Sequence, residues 1–322
     1  MREWKVIPVA PSSERPKYTE KQLWSFFDSY KKPGVGCAVA RPDMDSFRHI
    51  SDEKKRRDHA LLQQKMNRPL LRQQNEEGPD AFAFENFLTS EAMRQHWLGG
   101  ELSPTTNYDD WVSGVDAVVE WTDEAGEPIR LAIDFTATQK IPVFMKKSNK
   151  LEANIHVKYL RSRVETEHGQ PKELRVTLPI VLLGVDNPVY RLIAEKQDVL
   201  SHEHPLRRLL LEQATAQIDL QIKLLVQAVA GAKRNKGAKD LQEQYLPLGK
   251  DYTVDQAINF MHGLSTKSLG MIMSEKNQQR FKDLTRLKNR LDAELTTAQS
   301  IKLDNEWTTA VKQSITHHVL SG

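Results

Sequence analysis

The stretch from Gly114 to Thr138 constrains the fold more than any other part of the chain. Gly114-Val-Asp-Ala-Val-Val-Glu-Trp121 and Pro128-Ile-Arg-Leu-Ala-Ile-Asp-Phe-Thr-Ala-Thr138 are rich in β-branched residues. Asp123-Glu-Ala-Gly126 between them supplies turn residues, so the pair reads as a β-hairpin. Side chains alternate along a strand, which places Asp116, Val118 and Glu120 on one face of the first strand, and Asp134 with Thr136 on one face of the second. As neighbours, the strands bring Asp116 and Asp134 together. Such a pair suits a hard divalent cation, Mg2+ or Mn2+, that holds an attacking water. The competing reading is an edge charge, or a carboxylate satisfied by a nearby amide. Asp134 lies in Leu-Ala-Ile-Asp-Phe, where an unpaired carboxylate costs several kcal/mol to bury, so it calls for a cation, either a metal or a Lys or Arg.

The flanks divide the chain into three. Residues 1–77 are polar and broken by Pro8, Pro11, Pro16, Pro33, Pro42 and Pro69, and read as a partly helical N-terminal arm. One helix is expected near Thr19 to Tyr30. A second starts at Ser51, an N-cap followed by Asp52 and Glu53, and stops before Pro69. Gly78-Pro79 marks a boundary, and residues 78–200 read as an α/β core. There Phe84, Phe87, Leu88 and Trp97 fit a helix from Ala81 to Trp97 that Gly99-Gly100 ends. After the hairpin, Lys146 to Glu167 reads as a helix broken at Gly169-Gln-Pro171, and Leu174 to Val185 as one apolar strand suited to a sheet interior. Residues 201–322 read as a helical C-terminal region. Ile218, Ile222, Leu225 and Val229 stripe one helix, Thr253-Val-Asp-Gln256 has capping-box spacing, and Phe281, Leu284, Leu287, Leu291 and Leu295 stripe another.

Composition narrows the function classes. The 322 residues carry 46 basic and 43 acidic side chains, a net charge of +3, so the molecule as a whole is not a strongly basic nucleic-acid binder. Lys54-Lys55-Arg56-Arg57 and Lys233-Arg234-Asn235-Lys236 are basic runs that read first as solvated faces and second as phosphate contacts. The lone Cys37 excludes an internal disulfide and a multi-thiolate zinc site. Apolar runs such as Ile180-Val181-Leu182-Leu183 are far shorter than a bilayer span, and Met-Arg-Glu-Trp is no signal core. The expectation is a cytoplasmic protein with no membrane partner. Neither a P-loop nor a Gly-x-Gly-x-x-Gly turn is present.

Glu85 on the helix before the hairpin, Asp116 in Gly-Val-Asp-Ala-Val-Val-Glu and Asp134 in Leu-Ala-Ile-Asp-Phe-Thr together resemble the three acidic positions of the PD-(D/E)XK nuclease superfamily. The likeness extends over residues 80 to about 200 and includes the order of elements. It implies a restriction-endonuclease-like αβββαβ core, with Glu85, Asp116 and Asp134 as ligands of Mg2+ or Mn2+. It also implies hydrolysis of phosphodiester bonds in nucleic acid, DNA ahead of RNA. The lysine that the family places two residues after its last acid is replaced by Thr136. Some members carry it on the following helix, which points to Lys146 and Lys147, with Lys150 nearby. Lys140 is roughly 13 Å along an extended strand from Thr136 and suits the role less well. The alternative is a catalytically inactive nuclease-like fold that serves as a nucleic-acid-binding or protein-assembly module.

Other candidates read as structural. His202-Glu203-His204 precedes Pro205 and reads as a helix-start loop, His317-His318 as a helix end without carboxylate companions, and Cys37 as small-residue packing. Lys282, Arg286, Lys288 and Arg290 could follow phosphates, but Asp283, Asp292 and Glu294 among them favour a packed or self-associating helix. A homo-oligomer through the C-terminal helices is the corresponding partner expectation.

Overall fold

The computed structural model describes residues 40–67, 79–136, 151, 154–185, 189, 192–193, 201–231, 252–264 and 273–301. Over these the chain is mixed α/β. A short 3-10 turn, Met44–Ser46, leads into α1 (Asp52–Met66), α2 (Pro79–Arg94), β1 (Glu101–Pro104), β2 (Ala117–Thr122) and β3 (Pro128–Thr136). Then follow β4 (Ile155–Glu167), β5 (Gln170–Leu178), β6 (Ile180–Gly184), α3 (Pro205–Gly231), α4 (Val254–Gly263) and α5 (Glu275–Ala298). The main sheet has the order β1-β2-β3-β6, antiparallel except for the parallel β3–β6 pair, and β4 and β5 form a separate two-stranded sheet.

Strand alternation gives the main sheet two unlike faces. Ala117, Val119, Trp121, Leu131, Ile133, Phe135, Val181 and Leu183 belong to a large core that also takes Phe87 and Leu88 of α2, Leu210 and Ile218 of α3, and Leu284 and Leu291 of α5. The helices before and after the strands thus share one interior. The opposite residues Val118, Ala132, Ile180 and Leu182 meet Val157, Leu160 and Leu178 of the β4–β5 hairpin.

The hairpin corrects the expected helix from Lys146 to Glu167, since residues 155–167 are strand. Ile155, Val157, Tyr159 and Val164 are β-branched or aromatic and suit a half-buried pleat better than a helix. His168 and Gly169 both have positive φ, 52° and 74°, the conformation of a tight two-residue hairpin turn, so the glycine reverses a strand where a helix end was expected. The single strand expected over Leu174–Val185 is divided at Pro179. Its first part pairs with β4, and its second enters the main sheet at the edge beside β3.

That edge is covered by side chains. Gln213, Gln217 and Gln221 recur every four residues on α3, about 6 Å apart along the axis, which matches the roughly 6.6 Å between alternate residues of a strand. Gln217 accepts from Leu182 N at 2.8 Å and donates to Leu182 O at 2.6 Å. Gln213 does the same with Gly184, at 3.0 and 2.8 Å, and Gln221 donates to Ile180 O at 2.8 Å. The three amides take the place of a further strand.

The capping box at Thr253 and Gln256 is formed, and Phe281, Leu284, Leu287 and Leu291 of α5 are buried. Arg286 pairs with Asp123, Lys288 with Asp219 and Asp292, and Arg290 with Glu294. Of Lys282, Arg286, Lys288 and Arg290, the four read above against phosphates, the last three are therefore neutralised within the chain. Gly99 (φ 70°) brings its loop against α5 so closely that a Cβ there would lie 1.9 Å from the Glu294 carboxyl carbon. Among the described residues no helix is long and apolar enough to cross a membrane.

Candidate functional site

The β2–β3 register ends at Ala117↔Ile133, and Asp116, just before β2, reaches across to the Asp134–Phe135 peptide of β3. Asp116 is held from three directions. Its N donates to Ile133 O at 2.8 Å, its carbonyl accepts from Thr105 N at 2.9 Å, and its Oδ2 accepts from Phe135 N at 2.7 Å. Asp116 and Asp134 are 5% and 3% exposed, so both carboxyls lie in a poorly hydrated place.

A third acid comes from the connection before β2. Residues Asp109–Ser113 form one wide π turn that Gly114 closes with φ 68°, a left-handed conformation in which a side chain is strained. The turn sends its two adjacent aspartates different ways. Asp109 accepts from Lys158 N and Tyr159 N, both at 2.9 Å, and so ties the turn to β4. Burial pushes its carboxyl up to about 6, against these hydrogen bonds and that of Thr106. Asp110 instead joins Asp116. Burial and the Asp116 charge raise its pKa well above the usual carboxylate range, with Arg41 opposing and Asp134 adding to the rise.

The cation at this cluster is Arg41. Its Nη2 lies 3.2 Å from Asp110 Oδ2 and 3.3 Å from Asp116 Oδ1. Burial alone would lower the guanidinium pKa, but Asp110, Asp116 and Glu85 outweigh it and raise it. Glu85 of α2 therefore lies within the field of the same guanidinium. Arg41 is delivered by a segment that packs on the hairpin. Met44, Phe47, Ile50 and Leu62 cluster with Tyr108 and Tyr159, the Arg161 guanidinium sits 4.7 Å over the Phe47 ring, and Asp58 of α1 receives Tyr159 Oη at 2.6 Å and pairs with Lys158.

The sequence-derived residues are thus placed as follows. Asp116 and Asp134 both act on Asp110 and so belong to one cluster, and Glu85 of α2 acts on its Arg41. Thr136 is buried at 1% exposure, one alternate position beyond Asp134. Lys140, Lys146, Lys147 and Lys150 lie outside the described residues, as do Cys37, His317, His318 and the run Lys233–Lys236. His204 stacks on Trp97 with ring centroids 5.9 Å apart and accepts from Leu206 N, and His202 meets Gln95 O, so this pair shapes the start of α3. Sequence reasoning missed Asp110 and Arg41. Asp109-Asp110 reads as loop polarity, and nothing in Ala-Arg-Pro-Asp marks an arginine that reaches 75 residues along the chain.

The donor chemistry of Glu85, Asp116 and Asp134 fits Mg2+ or Mn2+, since all three offer carboxylate oxygen. Their spacing, with Arg41 among them, is another matter: among the described residues no group of three or more Asp, Glu, His or Cys side chains stands arranged to hold a metal ion. Compared with known proteins, the chain matches no family model, no curated protein and no solved structure.

Proposed function

We propose that the protein is a divalent-metal-dependent nuclease that hydrolyses phosphodiester bonds, with DNA ahead of RNA as substrate, on a PD-(D/E)XK-like core. The observation that carries this reading is that two buried aspartates lie at one end of the β2–β3 pair, Asp116 Oδ2 accepting at 2.7 Å from the N of Phe135, the residue after Asp134, with Glu85 in the field of the neighbouring Arg41 guanidinium. The sheet order β1-β2-β3-β6, an antiparallel meander with a parallel fourth strand, supports it. Glu85, Asp116 and Asp134 would hold Mg2+ or Mn2+, which supplies Lewis acidity to a phosphoryl oxygen and acidifies a water. The chain's own part is to fix the acids. Phe135 N and Thr105 orient Asp116, and the π turn sets Asp110 beside it. Buried strand positions keep bulk water from the carboxylates, which strengthens their hold on a cation.

A specific observation favours a second reading, a nuclease-like fold without catalysis that binds nucleic acid or a protein partner. Thr136 offers no charge at the position where the family has lysine, and Arg41 already neutralises Asp110 and Asp116. The two are separated by incubating the protein with linear, circular and single-stranded DNA and with RNA, in Mg2+, Mn2+ or chelator, beside Asp116→Asn and Asp134→Asn. The nuclease reading expects cleavage that requires metal and both aspartates. Absence of cleavage in every condition, with nucleic acid bound equally by wild type and variants, would replace it with the binding-module reading.

A further inference from the structure

We propose that Arg41 is the resident cation of the carboxylate cluster and has to withdraw before a divalent cation can enter, so that docking of the segment from Arg41 to Ile50 sets the metal affinity. This rests on reading the cluster as a divalent-cation site.

A metal ion on Asp116 Oδ1 would sit about 2.1 Å from that oxygen, and Arg41 Nη2 is 3.3 Å from the same atom. Sharing one carboxylate oxygen in a poorly hydrated pocket, the two cations repel strongly, so each lowers the affinity of the site for the other. The arginine is also incompletely held. Both ion pairs fall on Nη2, while Nη1 is buried with no hydrogen-bond partner, in a side chain only 10% exposed. Arg130 provides the contrast, using Nε on Glu120 and Nη2 on Glu165. A buried donor without an acceptor weakens the hold of the group that carries it.

The segment is anchored as a unit. Phe47 and Met44 seat it against Tyr159, and Ser46 receives Arg161 Nη2 through its carbonyl and hydroxyl oxygens at 2.9 and 2.8 Å. Glu173 of β5 accepts from Arg48 N and from His49 N at 3.1 Å. Between this anchor and the cluster lie only Pro42 and Asp43. Loss of the Glu173 anchor therefore loosens Arg41 without touching any carboxylate of the cluster.

The test is Mn2+ binding by the full chain without nucleic acid, followed by the electron paramagnetic resonance signal of free Mn2+. Arg41→Gln is expected to bind Mn2+ at least ~10-fold tighter than wild type, the effect of removing one nearby unit charge after partial screening. Glu173→Gln should shift in the same direction by less, Arg41→Lys should stay near wild type, and Asp116→Asn should lose binding. An Arg41→Gln protein with unchanged melting temperature and no gain in affinity overturns the proposal. If Arg41→Gln does not fold, equal Mn2+ affinity of wild type and Glu173→Gln overturns it. Tighter Mn2+ binding without cleavage of any nucleic acid keeps the latch and removes the nuclease. Cleavage that needs Asp116, with no gain in Arg41→Gln, does the reverse.

Discussion

The two faces of the main sheet are made by the same strands in alternate residues, yet they are built on different physics. The face toward α2, α3 and α5 is apolar throughout, and its strength comes from area removed from water and from close packing. The face toward the β4–β5 hairpin interleaves Val118, Ala132 and Leu182 with Asp116, Glu120, Arg130 and Asp134. Each charge there needs a partner. Burying a carboxylate is worthwhile only where its hydrogen bonds are complete or where a ligand completes them. The hairpin-facing surface holds two such carboxylates four residues apart, Glu120 on β2 and Asp116 just before it, the first partnered by Arg130, Ser162 and Arg163 N and the second by Arg41 and Phe135 N.

Glu120 is the more deeply buried of the two. It is fully buried, receives Arg130 Nε at 2.7 Å and Ser162 Oγ at 2.8 Å on Oε1, and receives Arg163 N at 2.7 Å on Oε2. It fastens the hairpin to the sheet. Glu120→Ala removes the acceptor of Arg130 Nε, Ser162 Oγ and Arg163 N, leaving Arg130 only its Glu165 pair, and is expected to cost about 3–5 kcal/mol. Ile133→Ala on the helix-facing side should cost about 2–5 kcal/mol through the cavity it leaves. Urea unfolding of both variants compares the faces directly. A Glu120→Ala loss below that of Ile133→Ala would mean that packing, not the ion pair, holds the hairpin.

The sheet edge sharpens the same comparison with neutral groups. Gln217→Leu removes partners from both Leu182 N and Leu182 O, at about 1–3 kcal/mol for each buried group left unpaired, so a total of roughly 2–6 kcal/mol is expected. Gln221→Leu deprives Ile180 O and removes the longer 3.4 Å bond from Arg280 Nη2, which keeps Leu151 O at 2.9 Å, and should cost about half as much. Equal losses in the two variants would show that the amides act through packing volume alone.

The parts legible in the sequence were those set by local periodicity. The β2–β3 hairpin, the helices over α2, α3 and α5 and the Thr253 capping box follow from alternation, stripes and cap residues that neighbouring positions carry. The hairpin β4–β5 was misread because its lysines, arginines and glutamates carry good helix propensity, while its strand identity comes from pairing across the His168-Gly169 turn. The glutamine ladder was missed for a related reason. Gln213, Gln217 and Gln221 look like solvated helix positions until an edge strand lies beside them. At the site, Asp116 and Asp134 were legible because they share one hairpin. Asp110 and Arg41 were not, since their roles arise from contacts that no local pattern records.

Acid should separate the arm from the hairpin before it disturbs the sheet. Burial alone would raise the Glu173 pKa, but the hydrogen bonds from His49 and Arg48 and the charge of Arg161 lower it below the ordinary value of 4.5. A carboxylate whose pKa is lowered on folding contributes stability that is present above its unfolded pKa and is lost as pH falls through the folded value. Proteolysis within residues 40–67 is therefore expected to accelerate as the pH drops below about 4, while tryptophan fluorescence from the core stays native. Glu173→Gln should show the faster cleavage already at neutral pH. Equal cleavage of both proteins at all pH values would mean that Phe47 and its apolar neighbours hold the arm unaided.

Asp116→Asn should change stability least of all. The amide oxygen still accepts from Phe135 N, and the backbone bonds to Ile133 and Thr105 are untouched. Two electrostatic changes then oppose one another. The Arg41 pair weakens, but one charge is removed from beside Asp110, whose pKa is raised in part by that charge. Replacing a buried charge by a neutral isostere that keeps its hydrogen bonds is often close to neutral, so the expected change is within about 1 kcal/mol. If urea unfolding instead gives a loss as large as that of Glu120→Ala, Asp116 is a structural anchor like Glu120. The hairpin-facing surface would then be a second way of building a core, with no carboxylates kept for a cation.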